Sequence, residues 1–211
     1  MRVLDLSHFL SEDMPVYPGT EPPSIAQATT IERDGFAEKL LSLYSHTGTH
    51  MDAPSHMISG APCLDAMEVG RFVGKGAVLD LTGLRSPAVE MAAISSQGPR
   101  LAGADFVLLR TDWSLRWGAE SYFSGFPVLT PDAASWLADL GLSGIGLDCI
   151  SVDPVGGEGF PIHEIFLGRG MLIVENLRDL ALLGDRPFFF FCLPLRIRDS
   201  DGSPIRAVAI E

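Results

Sequence analysis

The chain has no apolar run near the eighteen or so residues that a membrane span needs. The longest such run, Pro187 to Leu195, is short and bracketed by prolines. Positive charge is scarce: 15 Lys and Arg stand against 27 Asp and Glu, for a formal net charge of −12. That balance disfavours nucleic acid as a partner, and Arg196, Arg198 and Arg206 form the only modest basic cluster. Cysteine is rare too. Cys63, Cys149 and Cys192 are odd in number, widely spaced and free of any C-x-x-C, which argues for reduced thiols and against a disulfide framework or a zinc ribbon. The opening Met1-Arg2-Val3-Leu4-Asp5 lacks the apolar core of a signal peptide, so a cytoplasmic location is expected. Internal repeats and low-complexity linkers are absent, and residues 1–211 read as one domain.

The chain does have the makings of a core. Its 211 residues are 46% hydrophobic and 20% charged, the composition of a soluble globular protein. Short runs rich in Val, Ile, Leu and Phe predict strands over residues 2–7, 39–44, 76–81, 104–110, 144–148, 170–174, 188–193 and 205–210. Helices are predicted between them. Over residues 130–141, Thr130 suits the N-cap, Pro131 the first helical position, Asp132 the positive helix end and Gly141 the stop. Residues 86–97 and a short piece over 163–167 are the other candidates. This alternation implies an α/β fold with a mixed sheet. Residues 8–35, carrying Pro15, Pro18, Pro22 and Pro23, read as an ordered loop. Within it, Pro15-Val16-Tyr17-Pro18-Gly19 places an aromatic on a stiff turn, suited to loop packing or to facing a substrate.

Histidine is nearly absent except in one place. Three of the five histidines, with a carboxylate, fall within His46-Thr47-Gly48-Thr49-His50-Met51-Asp52-Ala53-Pro54-Ser55-His56. Imidazole and carboxylate are the ligands that borderline divalent metals prefer, so this segment reads as a metal or catalytic site. His46, Gly48, His50 and Asp52 share one parity, and an extended segment would turn them to one side. Gly48 would let the backbone pass close to an ion or substrate. The pattern alone leaves open which histidine binds and which works on substrate.

A catalytic metal site needs at least three protein ligands. His8 reads as a hydrogen-bonded structural residue. His163 sits in a turn leading to a short helix, and Glu175, twelve residues later, ends an apolar strand. A carboxylate there either caps the edge in water or enters a site, and in α/β sheets functional groups gather at strand ends.

His46-x-Gly48-Thr49-His50-x-Asp52-x-Pro54-x-His56 resembles the signature of the cyclase superfamily of metal-dependent hydrolases, whose bacterial members include kynurenine formamidases. Asp5-Leu6-Ser7, Pro15–Gly19, Gly144–Asp148 with Ser151–Pro154, Leu193–Arg196 and Gly202–Val208 resemble further family segments in the right order. The resemblance implies a swivelling β/β/α domain, often a homodimer or homotetramer. It implies that His46, His50 and Asp52 hold one divalent metal, that Asp52 bridges to a second with His163 and Glu175, and that His56 stays off the metal as the proton-transfer residue. Zinc, as one or two ions, is the first expectation and manganese the alternative. Tyr17 would contact the substrate. Three positions depart from the formamidase pattern: Tyr17 stands where those enzymes carry Trp, Thr20 where they tend to have an acid, and Glu164 where a second histidine would follow the ligand. The implied reaction is hydrolysis of a small amide by metal-activated water, with an aryl formamide such as N-formylkynurenine the first substrate. A cyclic amide or imide of the isatin-hydrolase type is the alternative, and a non-catalytic metal-binding protein is the third reading.

Overall fold

In chain order the strands are β1 (Val3–Asp5), β2 (Ser24–Thr29), β3 (Glu38–Ser42), β4 (His50–Asp52), β5 (Val73–Asp80), β6 (Ala88–Val89), β7 (Phe106–Arg110), β8 (Val128–Leu129), β9 (Gly144–Leu147), β10 (Leu172–Glu175), β11 (Phe188–Phe191), β12 (Gly202–Pro204) and β13 (Val208–Ile210). The helices are α1 (Ile31–Asp34), α2 (Met91–Ser95), α3 (Gly98–Leu101), α4 (Pro131–Ala138) and α5 (Pro161–Gly168). These come from a computed structural model that describes residues 1–184 and 187–211.

Nine strands form one mixed sheet in the order β1-β13-β11-β5-β7-β9-β10-β4-β12. The four central strands, β5, β7, β9 and β10, run parallel, and the flanks are antiparallel. The centre explains the continuous apolar runs of the sequence, because parallel strands covered on both faces have no side left for water. Phe106 to Leu109, Gly144 to Leu147 and Leu172 to Glu175 are buried throughout. One face packs against the helices, with Leu137, Phe166 and Ile145 in its core. The other is covered by the first strand and connecting segments, with Leu6, Met51, Phe106 and Phe190 in its core. Each fully buried side chain of this size contributes about 1.5–3 kcal/mol over its exposed state, and together they fix the strand ends that carry the site.

Helix α4 follows the sequence signals: Thr130 Oγ1 accepts from Ala133 N at 3.4 Å, Pro131 opens the helix, and Gly141 takes φ +74° beyond its end. Elsewhere the reading needs correction. The helix predicted over 86–97 is a two-residue strand followed by the short α2, because Ala88–Val89 pairs in parallel with Val128–Leu129 before α2 begins. The prolines of residues 8–35 do mark a loop, but β2 and α1 follow within that stretch. Strand β2 pairs with β3 as a ribbon outside the main sheet. The strand predicted over 205–210 is shorter, and β12, which includes Pro204, went unread because proline argues against a strand except at a strand end or sheet edge. β12 is an edge strand.

Candidate active site

Three neighbouring strands build the site. His50 and Asp52 lie two residues apart on β4, so the pleat turns both to one face. The antiparallel register sets Glu175, at the C-terminal end of β10, opposite His50, and Gly202 of β12 opposite Asp52. The extended segment expected through residues 46–52 is interrupted, because the strand begins only at His50 and Gly48 takes φ +67°. A Cβ at Gly48 would also stand 2.7 Å from Leu10 Cδ2. The chain bends there, and His46 reaches Asp52 across the bend with Nδ1 2.7 Å from Oδ1. Gly202 lies beneath the His46 ring, where a Cβ would come within 2.5 Å of Cε1.

Around this bend the other groups converge. His50 Nε2 is 3.4 Å from Asp52 Oδ1 and 3.5 Å from Glu175 Oε2. His163, near the start of α5, brings Nε2 to 3.5 Å from Glu175 Oε1 and 3.8 Å from Asp52 Oδ2. His56 ends a 3₁₀ turn opened by Pro54, and its ring lies 3.9 Å from that of His46, tilted by 33°. Two ligand-capable trios share Asp52: His46, Asp52 and His56, and His50, Asp52 and Glu175. All six side chains named from the sequence thus meet at one place.

Their orientation is set by a surrounding layer of hydrogen bonds. His50 Nδ1 donates to the Gly48 carbonyl at 2.8 Å, which leaves the Nε2 lone pair facing Asp52 and Glu175. His163 Nδ1 donates to Asp153 Oδ2 at 2.7 Å, which turns Nε2 toward Glu175 and Asp52. Asp153 also accepts from the backbone of Ile162 and His163, so one carboxylate starts α5 and aims its histidine. Asn176 Nδ2 donates to the Gly48 carbonyl, and Tyr122 Oη donates to Asn176 Oδ1. Glu175 Oε1 accepts from Val152 N at 3.1 Å. Asp201 is shared by His46 Nε2 at 3.1 Å and His56 Nδ1 at 3.4 Å.

Asp153, Asn176 and Asp201 escaped the sequence reading. Asp153 lies ten residues before His163 in a Pro- and Gly-rich turn, and Asp201 enters the site only because β12 pairs with β4. Neither has a local spacing that would reveal it. His8 differs from expectation as well: its ring stacks on Trp117 at 3.8 Å, and among the described residues its buried Nε2 has no hydrogen-bond partner. The thiols of Cys63, Cys149 and Cys192 are free, as expected.

Burial opposes charge throughout this cluster, and the local pairings override it. Burial disfavours the His46 imidazolium, yet hydrogen bonds and charge from Asp52 and Asp201 raise its pKa to about 9. His163 is raised to about 10 against burial, through Asp153, Glu175 and Asp52. Asp52 is held well below the ordinary carboxylate range despite burial, by His46 and His50. His56 goes the other way. Burial, with the neighbouring His46 and His163 charges, lowers it against the pull of Asp52 and Asp201, so it is neutral at physiological pH.

The donor set suits a borderline divalent cation. Two buried carboxylates and inward-facing imidazole nitrogens supply N and O ligands and a negative charge that needs compensation. The cluster lies on a cavity of about 430 Å³ whose wall includes Tyr17, Tyr44, Met57, Ile150 and Phe160. Tyr17 is held by a turn in which Thr20 N donates to the Tyr17 carbonyl at 2.9 Å with Gly19 at φ +95°, the pattern of a type II turn after Pro18. Tyr17 lines this cavity from the turn, and its ring also packs against the helix-side core.

The family model described as "Putative cyclase" matches residues 4–154. A kynurenine formamidase of Bacillus cereus is 32% identical over 206 residues, covering 97% of this chain and 95% of that protein. Among solved structures, isatin hydrolase A from Labrenzia aggregata, bound to benzyl benzoate, superposes with a TM-score of 0.89 at 28% identity, covering 99% of this chain and 93% of that one. A structure described as a potential metal-dependent hydrolase with cyclase activity matches with a TM-score of 0.81 at 29% identity, covering 99% and 96%.

Proposed function

Because the chain belongs to the cyclase family, we propose that it is a metal-dependent hydrolase whose substrate is an aryl formamide such as N-formylkynurenine. The observation that carries this reading is the convergence of His46, His50, Asp52, His163 and Glu175 on one aromatic-walled cavity, with His56 beside them. In this reading His46, His50 and Asp52 would hold one divalent ion, and Asp52, His163 and Glu175 would hold a second. Zinc fits the N/O set first and manganese second. Such a metal supplies Lewis acidity, which polarises an amide carbonyl and acidifies water.

The chain's own groups do the rest. Gly48 and Asp153 hold the Nδ1 protons of His50 and His163 and so turn both Nε2 atoms inward, where a metal would displace the second proton of His163. His56, neutral and held through Nδ1 by Asp201, takes a proton from the attacking water at Nε2. It returns that proton to the amide nitrogen as the C–N bond breaks, which a poor amine leaving group requires. The cavity has the size of ordinary small-molecule sites, and Tyr17, Tyr44 and Phe160 give a planar ring apolar walls. A closed structural metal site would saturate its ligands and would need neither the cavity nor the spare His56.

Opening of a cyclic amide is the second reading, favoured by Tyr17 in place of Trp and by the likeness to isatin hydrolases. Residues 1–211 act as one catalytic unit that assembles as a homo-oligomer. The three free thiols fit a reducing, cytoplasmic setting. No described helix is long and apolar enough to cross a membrane. Turnover of the metal-loaded protein on N-formylkynurenine, formyl anilides and isatin tests the substrate. The reading expects the highest kcat/KM on a formamide. A preference for isatin replaces it with the second reading, and inactivity on every amide and imide rejects both.

A further inference from the structure

Asn176 directly follows Glu175 at the end of β10 and takes φ +57°, a left-handed conformation that asparagine tolerates better than most residues with a side chain. It is buried, and each of its polar atoms is bonded. The backbone N–H donates to the Cys149 carbonyl at 3.0 Å, and the carbonyl accepts from Thr49 Oγ1 at 2.6 Å. Nδ2 donates to the Gly48 carbonyl at 2.8 Å, and Oδ1 accepts from Tyr122 Oη at 2.7 Å. The amide has only one way to lie. The Gly48 carbonyl can only accept, so the NH2 end must face it, and the Tyr122 hydroxyl then donates to the oxygen. Tyr122 is itself fully buried, its ring set edge-on to Trp117 and Phe123 with centroids 5.2 and 5.9 Å away.

The Gly48 carbonyl receives two donors, because His50 Nδ1 also reaches it at 2.8 Å. Both lone pairs of that oxygen are thus engaged, one by the histidine and one by Asn176. Gly48 lies in the bend at φ +67° and has no side chain of its own to hold it there. We propose that Asn176, backed by Tyr122, is a positioning residue: its amide pins the Gly48 carbonyl and through it sets the tautomer and direction of the His50 ring. The same residue grips the next link of the bend, since Thr49 Oγ1 donates to its carbonyl while accepting from His8 N at 2.9 Å. Side chain and backbone of one residue therefore fasten Gly48 and Thr49, the two links leading into His50, to the strand end that carries Glu175. Loss of the amide would leave the buried Tyr122 hydroxyl unpaired and free the Gly48 carbonyl to turn, so the fault reaches His50 with every ligand atom still present. The inference rests on the reading of His50 as a metal ligand.

Zn²⁺ affinity of the full chain by chelator competition tests it, together with nitrogen NMR of the histidine rings in the zinc-loaded protein. Asn176→Gly keeps the left-handed backbone, removes the amide and should raise the Zn²⁺ Kd about 10–100-fold. Tyr122→Phe keeps the ring packing and removes one hydroxyl, and a rise of about threefold to tenfold is expected. Both act through one amide, so the double variant should bind no more weakly than Asn176→Gly alone. In wild type the His50 ring should show a protected Nδ1 proton, and in Asn176→Gly that signal should be lost to exchange with water. The Nδ1 proton of His163, held by Asp153, should keep its signal in both proteins. A wild type with no measurable Zn²⁺ affinity would overturn the metal reading and the inference with it. Wild-type affinity in both variants, additive losses in the double variant, or His50 and His163 signals that change together would overturn the positioning role alone. Should Asn176→Gly fail to fold, Tyr122→Phe decides, and an unchanged Kd there overturns the role.

Discussion

Asp52 is the residue on which the site turns: one carboxylate lies within 3.8 Å of His46, His50 and His163 and belongs to both ligand trios. The histidines around it are mostly held through one ring nitrogen, which leaves the other for work. For His56 this predicts that His56→Ala keeps its fold and metal yet loses roughly 10²–10⁴-fold in kcat on amides. The loss should shrink on activated esters, whose leaving groups need less protonation. Metal content measured beside amide and ester turnover checks this, and a variant that simply loses its metal makes His56 a ligand. The pKa values near 9 for His46 and 10 for His163 predict a second behaviour. Both imidazoles hold a proton at pH 7 in the metal-free site, and a metal needs their lone pairs, so loading should release about two protons. Apparent affinity should then fall about 100-fold per pH unit as pH drops from 8 to 6. Chelator competition across that range reads the slope, and a flat profile would exclude both histidines as ligands. At this scale the clustered imidazoles were legible because their side-chain chemistry is rare in this chain. Asp153 and Asp201 were not, because an isolated aspartate carries no such signal until folding brings it to a histidine.

Elements position what residues supply. Register between β10 and β4 places Glu175 beside His50, and β12 brings Gly202 under the His46 ring. Gly202→Ala should therefore displace His46, weakening metal retention by tenfold or more while the melting temperature changes little by comparison. Metal analysis after dialysis, with a thermal melt, separates site damage from unfolding; full retention would show that the ring yields without cost. The turn at Tyr17 gives another test, because its backbone is fixed and its side chain faces the cavity. Tyr17→Trp should shift preference among aryl amides and isatin and leave metal content unchanged, and identical kinetics across such a panel would remove Tyr17 from the pocket. The central strands and α4 were readable because periodicity and capping are local. The split of residues 86–97 and the pairing of β12 were not, since both depend on partners distant in sequence: Val128–Leu129 in one case and β4 in the other.

Across the whole molecule, two buried faces of one sheet hold the strand ends at its β10-β4-β12 edge, where a cluster of carboxylates and imidazoles is tolerated because a cation can neutralise it. The acidic surface suits small-molecule chemistry better than nucleic-acid binding, and the mixed α/β sheet expected from alternating elements is the one found. What composition could not supply was the assembly of the cavity from the Tyr17 loop, the His46 bend and α5, because the three meet only after the sheet has formed. Amide cleavage by this protein is expected to depend on its metal. Formate release from N-formylkynurenine by metal-stripped protein, titrated with Zn²⁺, measures that coupling directly. Turnover should rise from background and level off at one or two equivalents; full turnover without metal, or none at saturation, would rule out a metal-dependent hydrolase.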